Sequence, residues 1–434
     1  MKSKFKPLIL LPVLLLTTGC SFNFTYKVRG VTYDISGGSS GADWDSGVDD
    51  RGEYTLKVWV AETVVTTTES ALTMFKAQMA DKGVKLTINV AKMDEPDAAA
   101  MMKQDPSSGA DVYCFAQDQL AALRKSNALA KLPTSLVKRV SAENTTKSVD
   151  AATIDGNVWA LPATSDNGYF LYYNKAILSE SDVENVETIL EKSKAAGKNF
   201  FFDAETNGYY GAGYYMATGC KSDWTLDSKG KFIKYDDNYN SDDGYIAAKG
   251  LKNLLTHTAW RTGHNASRFK DAASAVVSGV WDYNVAKKEL GDNLGCTDLP
   301  SYTVDGKTYH LGSFSGFKMF GIKPTRDEKR LSVCQKLAYF LAGEECQRRR
   351  LSSEKWGPTN NVVLETEAEA TTNPALAALA KQDEYANVQK PTPGAWFNAV
   401  GSLGTTIKKS KSDQEIRTAL QTYEEGLEAL LEED

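Results

Sequence analysis

Strand-like apolar runs, each followed by residues at helical spacing, restrict this chain to few architectures. Leu56, Val58 and Val60 alternate with Lys57 and Trp59, and Val84, Leu86, Ile88 and Val90 alternate with Lys85, Thr87 and Asn89. A period of two is the pattern of a strand with two unlike faces. Between these runs, Leu72, Phe75 and Met79 recur at helical spacing within 70–82, and Gly83 supplies a stop. Asp111 to Phe115 reads as a third strand, and Leu120, Leu123 and Leu129 as the helical stretch behind it. Strands alternating with amphipathic helices imply βαβ units and a mainly parallel sheet, which makes the chain α/β.

A second series begins beyond residue 180. Ser181-Asp182-Val183-Glu184 has the form of a capping box, in which hydroxyl and carboxylate satisfy orphan amides at a helix start. Val183, Val186, Ile189 and Leu190 make the stripe of that helix, and Gly197 closes it before the strand 199–202. The polar stretch 223–240 reads as a surface hairpin; its acidic residues match no calcium-loop spacing, so no metal is assigned. A second box, Ser412-Asp413-Gln414-Glu415, opens a last helix. The chain has 434 residues, too many for one ordinary core, so two lobes of ~150–200 residues are expected. A net charge of −6 argues against a nucleic-acid surface.

The N-terminus adds an address. Lys2, Lys4 and Lys6 precede the nearly unbroken aliphatic run 8–16, which ends in Thr17-Thr18-Gly19-Cys20. A basic head, a short apolar centre and small residues at the cut define an export signal. A cysteine at the cut marks a bacterial lipoprotein, so 1–19 is expected to be removed and Cys20 to carry lipid on the outer face of the cell membrane. Residues 20–53, rich in Gly, Ser and Asp, are expected to form the lipidated residue and a flexible tether.

The remaining cysteines, Cys114, Cys220, Cys296, Cys334 and Cys346, are odd in number and widely spaced. They indicate no disulfide framework and leave room for one or two bridges. Cys114 reads as a buried strand residue. The three histidines, His257, His264 and His310, suit packing or surface roles better than zinc binding or a triad. No cofactor is implied.

Candidate function gathers where strands meet helices. Aromatic and short polar residues stand together at 115–119, 164–169, 207–210, 278–283 and 394–398. In open α/β sheets, ligands bind at the carboxyl ends of strands. A sugar asks for this pairing, because its CH faces stack on rings while its hydroxyls need Asp, Asn or Gln. Each residue also has a plainer role: Trp281 as core, one of Tyr209-Tyr210 as packing in an aromatic strand, Asp118 as an N-cap, and Asp166 as part of an Asp-Asn-Gly turn. Trp59 and Trp159 are assigned to the core.

The segments Ala-Asp-Val-Tyr-Cys-Phe-Ala-Gln-Asp-Gln-Leu (110–120), Ile-Asp-Gly-Asn-Val-Trp-Ala-Leu-Pro (154–162), Leu-Tyr-Tyr-Asn-Lys-Ala-Ile-Leu (171–178) and Ser-Gly-Val-Trp-Asp-Tyr (278–283) resemble, in order, the extracellular solute-binding proteins of carbohydrate ABC transporters. The resemblance runs from Tyr54 to the C-terminus. It implies a two-lobed periplasmic-binding-protein-like fold of type II, with a cleft between lobes joined by crossing hinge segments. The expected lobes are 54–163 with 310–365, and 164–309 with 366–434. It also implies capture of an oligosaccharide, with a maltodextrin-like glucan as first expectation, and delivery by a monomer to ABC permease subunits without catalysis. Carried over by position, Phe115 stands at a stacking ring, Asp118 at a hydroxyl-binding Asp, and Gln119 where the family has Arg. Asp166 stands at a Glu near the hinge, with Asn167 beside it as a further ligand-binding candidate, Tyr209 and Tyr210 at an aromatic pair, and Trp281 at a stacking Trp. Trp396 or Phe397 stands at the last ring, and Glu62 replaces an Asp-Lys pair in the first loop. Two other readings stay open: a lipid-anchored glycoside hydrolase, which needs two carboxylates ~5–9 Å apart, and a surface glycan-tethering protein without a transport role.

Overall fold

The computed structural model describes residues 44–227 and 231–431, and the backbone of the strands Asn23–Val28 and Val31–Ser36. The export signal and Cys20 lie outside the described residues. The two strands pair antiparallel, Val28 opposite Val31, within a unit of their own at 1–40. A hairpin replaces part of the expected tether: the period-two pattern of Tyr26 and Val28, then Val31, Tyr33 and Ile35, outweighs the Gly/Ser-rich composition around it.

The tether also ends earlier than expected. Trp44 is buried in the first core and donates from Nε1 to Ser135 Oγ at 3.3 Å. Asp50 accepts from Lys336 Nζ and from Ser332 Oγ, both at 2.7 Å, with donors and acceptor buried. A buried ring and a paired, hydrogen-bonded charge offset the entropy of ordering this segment.

Residues 41–434 form the second unit and carry two five-stranded sheets. In the first, the order is Val84–Lys92, Gly52–Val60, Val112–Ala116, Lys318–Ile322 and Leu161–Thr164. Gly52–Val60 pairs in parallel with both its neighbours, while Lys318–Ile322 runs antiparallel to both of its own. In the second, the order is Trp260–Arg261, Asn199–Phe201, Ala273–Ser278, Phe170–Asn174 and Leu294–Thr297, with Phe170–Asn174 antiparallel to its neighbours. Each sheet therefore has its own core: Val58, Phe75, Val112 and Phe320 in the first, Phe200, Phe202, Tyr214 and Leu420 in the second.

The chain leaves the first sheet at Thr164 and enters the second at Phe170, so 165–169 form a crossing. It returns between Thr297 and Lys318, along a stretch where Ser313–Ser315 pairs in parallel with Ala386–Val388. This is the two-lobed α/β architecture expected, with Asp166 and Asn167 in the first crossing.

Several local expectations hold and two change. Strands begin at Val84 and Asn199 as read, and the hairpin Ser222–Leu226 with Phe232–Asp237 forms. Ser412 caps its helix by accepting from Glu415 N at 3.2 Å, and the Glu415 carboxylate reaches back to Lys411 N. The Ser181 box does not form: 182–184 is a single 3₁₀ turn, and Asn185 caps the helix Val186–Ala195 by accepting from Glu187 N and Thr188 N. Asn competes well at an N-cap, and it stands directly before the apolar stripe. Tyr209 and Tyr210 lie on the helix Gly208–Ala217 and not on a strand. All five cysteines after Cys20 are free thiols.

Replacing Asp50 by Ala should leave the Lys336 ammonium buried and unpaired, at a cost of about 3 kcal/mol. Urea denaturation should show a lower midpoint, and the apolar pair Asp50→Leu with Lys336→Met should recover most of the loss.

Candidate functional site

Two turns of the first lobe carry buried carboxyl groups. Asp118 follows the strand Val112–Ala116 and Asp166 follows the strand Leu161–Thr164, each two residues beyond the end. The strand between them begins at Lys318, which stands opposite both Ala116 and Thr164. Sheet register thus sets one lysine between two carboxyl-bearing turns.

Asp118 is 5% exposed and Asp166 0%. Oδ2 of Asp118 accepts from Gln119 Nε2 at 2.5 Å, and Gln119 Oε1 in turn accepts from Lys103 Nζ at 3.0 Å. Oδ1 of Asp166 accepts from the Thr164 hydroxyl. The second oxygen of each carboxyl, Asp118 Oδ1 and Asp166 Oδ2, has no hydrogen-bond partner among the described residues. Burial pushes both acids up to about 6, opposed at Asp118 by the Gln119 bond and at Asp166 by the Lys318 charge. The Asp118 side chain caps neither the 3₁₀ turn it lies in nor the helix that follows, so its expected N-cap role is not seen.

Tyr209 comes from the second lobe. Asn207 starts its helix by accepting from Tyr209 N at 3.1 Å. Gly208 lets that helix meet the helix Gly394–Lys409: a Cβ there would lie 2.2 Å from the Phe397 carbonyl oxygen. The Tyr209 ring stacks on Phe314 with centroids 5.3 Å apart, and its hydroxyl is buried without a partner. Burial, followed by the Asp118 and Asp166 charges, holds this phenol above its ordinary value. The hydroxyl therefore stands in the field of both carboxyl groups.

Lys318 is 5% exposed, with Nζ 3.8 Å from Glu95 Oε1. Burial opposes its charge, but Glu95 and Asp166 outweigh burial and hold the ammonium above its ordinary value. Nζ lies 4.2 Å from the Trp356 ring centroid and 5.2 Å from that of Trp281. Trp356 Nε1 is a further buried donor without a partner, and the carbonyl of Gly357 beside it accepts from Ser165 N at 2.8 Å. A set of amides joins these turns. Gln117 Nε2 donates to the Gln389 carbonyl at 2.6 Å, Gln117 Oε1 accepts from Phe317 N at 2.9 Å, and Asn167 Nδ2 donates to Gln389 Oε1 at 2.8 Å.

Of the expected site residues, Asp118, Gln119, Asp166, Asn167, Tyr209 and Trp281 fall in this neighbourhood, which joins both lobes. Phe115 does not offer a face: it is fully buried against Tyr113 and the backbone of Gly321. Tyr210 stacks on His264 inside the second core, and Trp396 is buried there with Nε1 bonded to Tyr423 Oη at 2.9 Å. Phe397 is half-buried, edge-on to Phe314 at 5.9 Å, and is the more accessible of the last pair. Glu62 is exposed and paired with Lys92 at 2.5 Å. Lys318, Trp356, Gln389 and Phe314 are not among the residues that the sequence pattern singles out, and Gln117 enters only as part of the junction 115–119. A lone lysine inside the apolar run Phe317 to Ile322 is the available signal for the first.

A separate cavity of about 560 Å³ lies in the second lobe, lined by Tyr173, Glu184, Asp298, His310 and Lys381, and shares no residue with the site. Among the described residues, no three His, Cys, Asp or Glu side chains are placed to hold a metal ion, and no helix is long and apolar enough to cross a membrane.

Two sheets with an antiparallel strand each, crossing segments between them and polar groups converging from both lobes define a two-lobed binding protein. Residues 71–378 match the profile of the bacterial extracellular solute-binding proteins, and the chain belongs to that family. Among solved structures, a protein determined with acarbose superposes with a TM-score of 0.73 at 27% identity, covering 88% of this chain and 99% of that one. A maltodextrin-binding protein from L. casei gives 0.71 at 20% identity over 88% and 100%. A Thermus thermophilus protein holding maltotriose gives 0.70 at 16% over 86% and 100%. Curated protein sequences gave no match.

The raised acids make stability depend on pH. Each binds its proton more tightly folded, at about 6, than unfolded, near the ordinary 3.8. The folded protein therefore holds more protons between these values, and stability should fall as pH rises from about 4 to about 7. Asp118→Asn or Asp166→Asn should flatten this slope and stabilise the ligand-free protein at pH 7 by on the order of 1–3 kcal/mol. Urea unfolding across that pH range is the measurement.

Proposed function

We propose that this protein is tethered through a lipid on Cys20 to the outer face of a bacterial cell membrane, captures a maltodextrin-like oligosaccharide between its lobes, and delivers it to an ABC permease. The observation that carries the reading is that four of the buried polar atoms without a partner among the described residues stand near one another here: Asp118 Oδ1, Asp166 Oδ2, Tyr209 Oη and Trp356 Nε1. Leaving such groups unpaired is costly, and a saccharide supplies hydroxyls that both donate and accept. Trp281, half-buried beside them, offers an indole for a pyranose face. Family membership supports an extracellular binding role, and the acarbose and maltotriose held by proteins of similar fold favour a glucan.

The hydrolase reading asks for two carboxyl groups with separated pKa values, one acid and one base. Burial raises Asp118 and Asp166 in the same direction, which favours capture over that division of roles. Binding energy here holds the ground state, so the complex should be reversible and in the micromolar range, equivalent to ~8 kcal/mol.

Calorimetry with maltose through maltoheptaose tests the proposal. Trp281→Ala should weaken the best ligand by ~1–3 kcal/mol in a folded protein. Shorter saccharides accumulating during a day's incubation, and lost in Asp118→Asn, would replace capture by hydrolysis. Binding without any effect of the protein on uptake by cells would favour a glycan tether.

A further inference from the structure

Lys318 carries charge where charge is costly. It is nearly buried, and its ion pair with Glu95 is long at 3.8 Å. Asp166 and Asp94 add negative charge nearby, and two indoles stand close: Trp356 at 4.2 Å and Trp281 at 5.2 Å from Nζ. An ammonium is drawn to the negative face of an indole, and more strongly once it has lost water.

The two rings belong to different lobes. Trp356 packs in the first core, whose sheet also supplies Lys318. Trp281 stands in the turn Val280–Asp282, after the second-sheet strand Ala273–Ser278. Its ring lies so close to Gly279 that a Cβ there would be 2.1 Å from a ring carbon. The indole is therefore placed by its own turn and by a cation reaching over from the opposite lobe.

We propose that Lys318 is the positioning residue of Trp281, its ammonium fixing the ring and tying the lobes together across the cleft. The ring's role as a sugar platform rests on the capture reading; the tie between lobes does not. Trp356 steadies the ammonium from the first-lobe side, so that the cation is presented to Trp281 and not withdrawn to solvent. Methionine keeps the chain length and loses the attraction, whereas arginine keeps the charge on a larger, planar head that also stacks on aromatic faces.

Two measurements on the full chain test this. In ligand-free protein, small-angle scattering should show a larger radius of gyration for Lys318→Met and an unchanged one for Lys318→Arg. Trp281→Ala removes the other half of the contact, should open the protein equally, and decides the matter if Lys318→Met does not fold. In calorimetry with maltotriose, Lys318→Met should bind about tenfold more weakly, Lys318→Arg within about threefold of the parent, and Lys318→Met should add nothing in a Trp281→Ala background. Identical ligand-free scattering for parent, Lys318→Met and Trp281→Ala overturns the proposal, as does an equal loss of affinity in both backgrounds. Failure of the parent to bind any glucan in the panel would sink the capture reading alone, and scattering would still decide the role of Lys318.

Discussion

The strand Lys318–Ile322 is the constraint on which the rest turns. It comes back from the second lobe and inserts antiparallel between Val112–Ala116 and Leu161–Thr164. The strand is buried on both faces, and its backbone pairing on either side, with an irregularity between Lys318 and Met319, holds its register. That register sets Lys318 opposite Ala116 and Thr164, and hence beside the turns that hold Asp118 and Asp166. The core of one lobe thereby aligns the charged groups at its edge.

The same edge holds polar groups that folding by itself leaves unsatisfied. Buried polar atoms are normally hydrogen-bonded, and each exception calls for an explanation. Here the amides of Gln117, Asn167 and Gln389 bond one another across three chain segments. Among the described residues, the atoms Asp118 Oδ1, Asp166 Oδ2 and Tyr209 Oη are buried without a hydrogen-bond partner. In the first core, by contrast, the buried Asp50 carboxylate accepts from both Lys336 and Ser332. A binding site is where such a local conflict is expected to survive.

Much of the fold was legible because its signals are local. Period-two runs marked the strands at Gly52–Val60 and Val84–Lys92, and helical spacing marked the helix Val65–Asp81. Local signals also misled. Ser181 has the chemistry of a cap, but Asn185 stands nearer the stripe that packs, and packing decides where the helix starts. Composition suggested a tether where Trp44 and Asp50 find partners almost 100 and 300 residues away.

By itself the sequence determined many of the strands and helices, among them those at 52–92, and that the chain is α/β with two lobes. Periodicity and turn chemistry act over a few residues, so they can be read from a line of letters. Only the tertiary structure decided which rings are enclosed: Phe115, Tyr210 and Trp396 are buried, while Tyr209, Phe397 and Trp281 keep some exposure. It alone brought Lys318 and Trp356, 38 residues apart, to Trp281 of the other lobe. Burial and cross-lobe contact depend on how sheets pack and where the chain crosses, and those are properties of distant residues acting together.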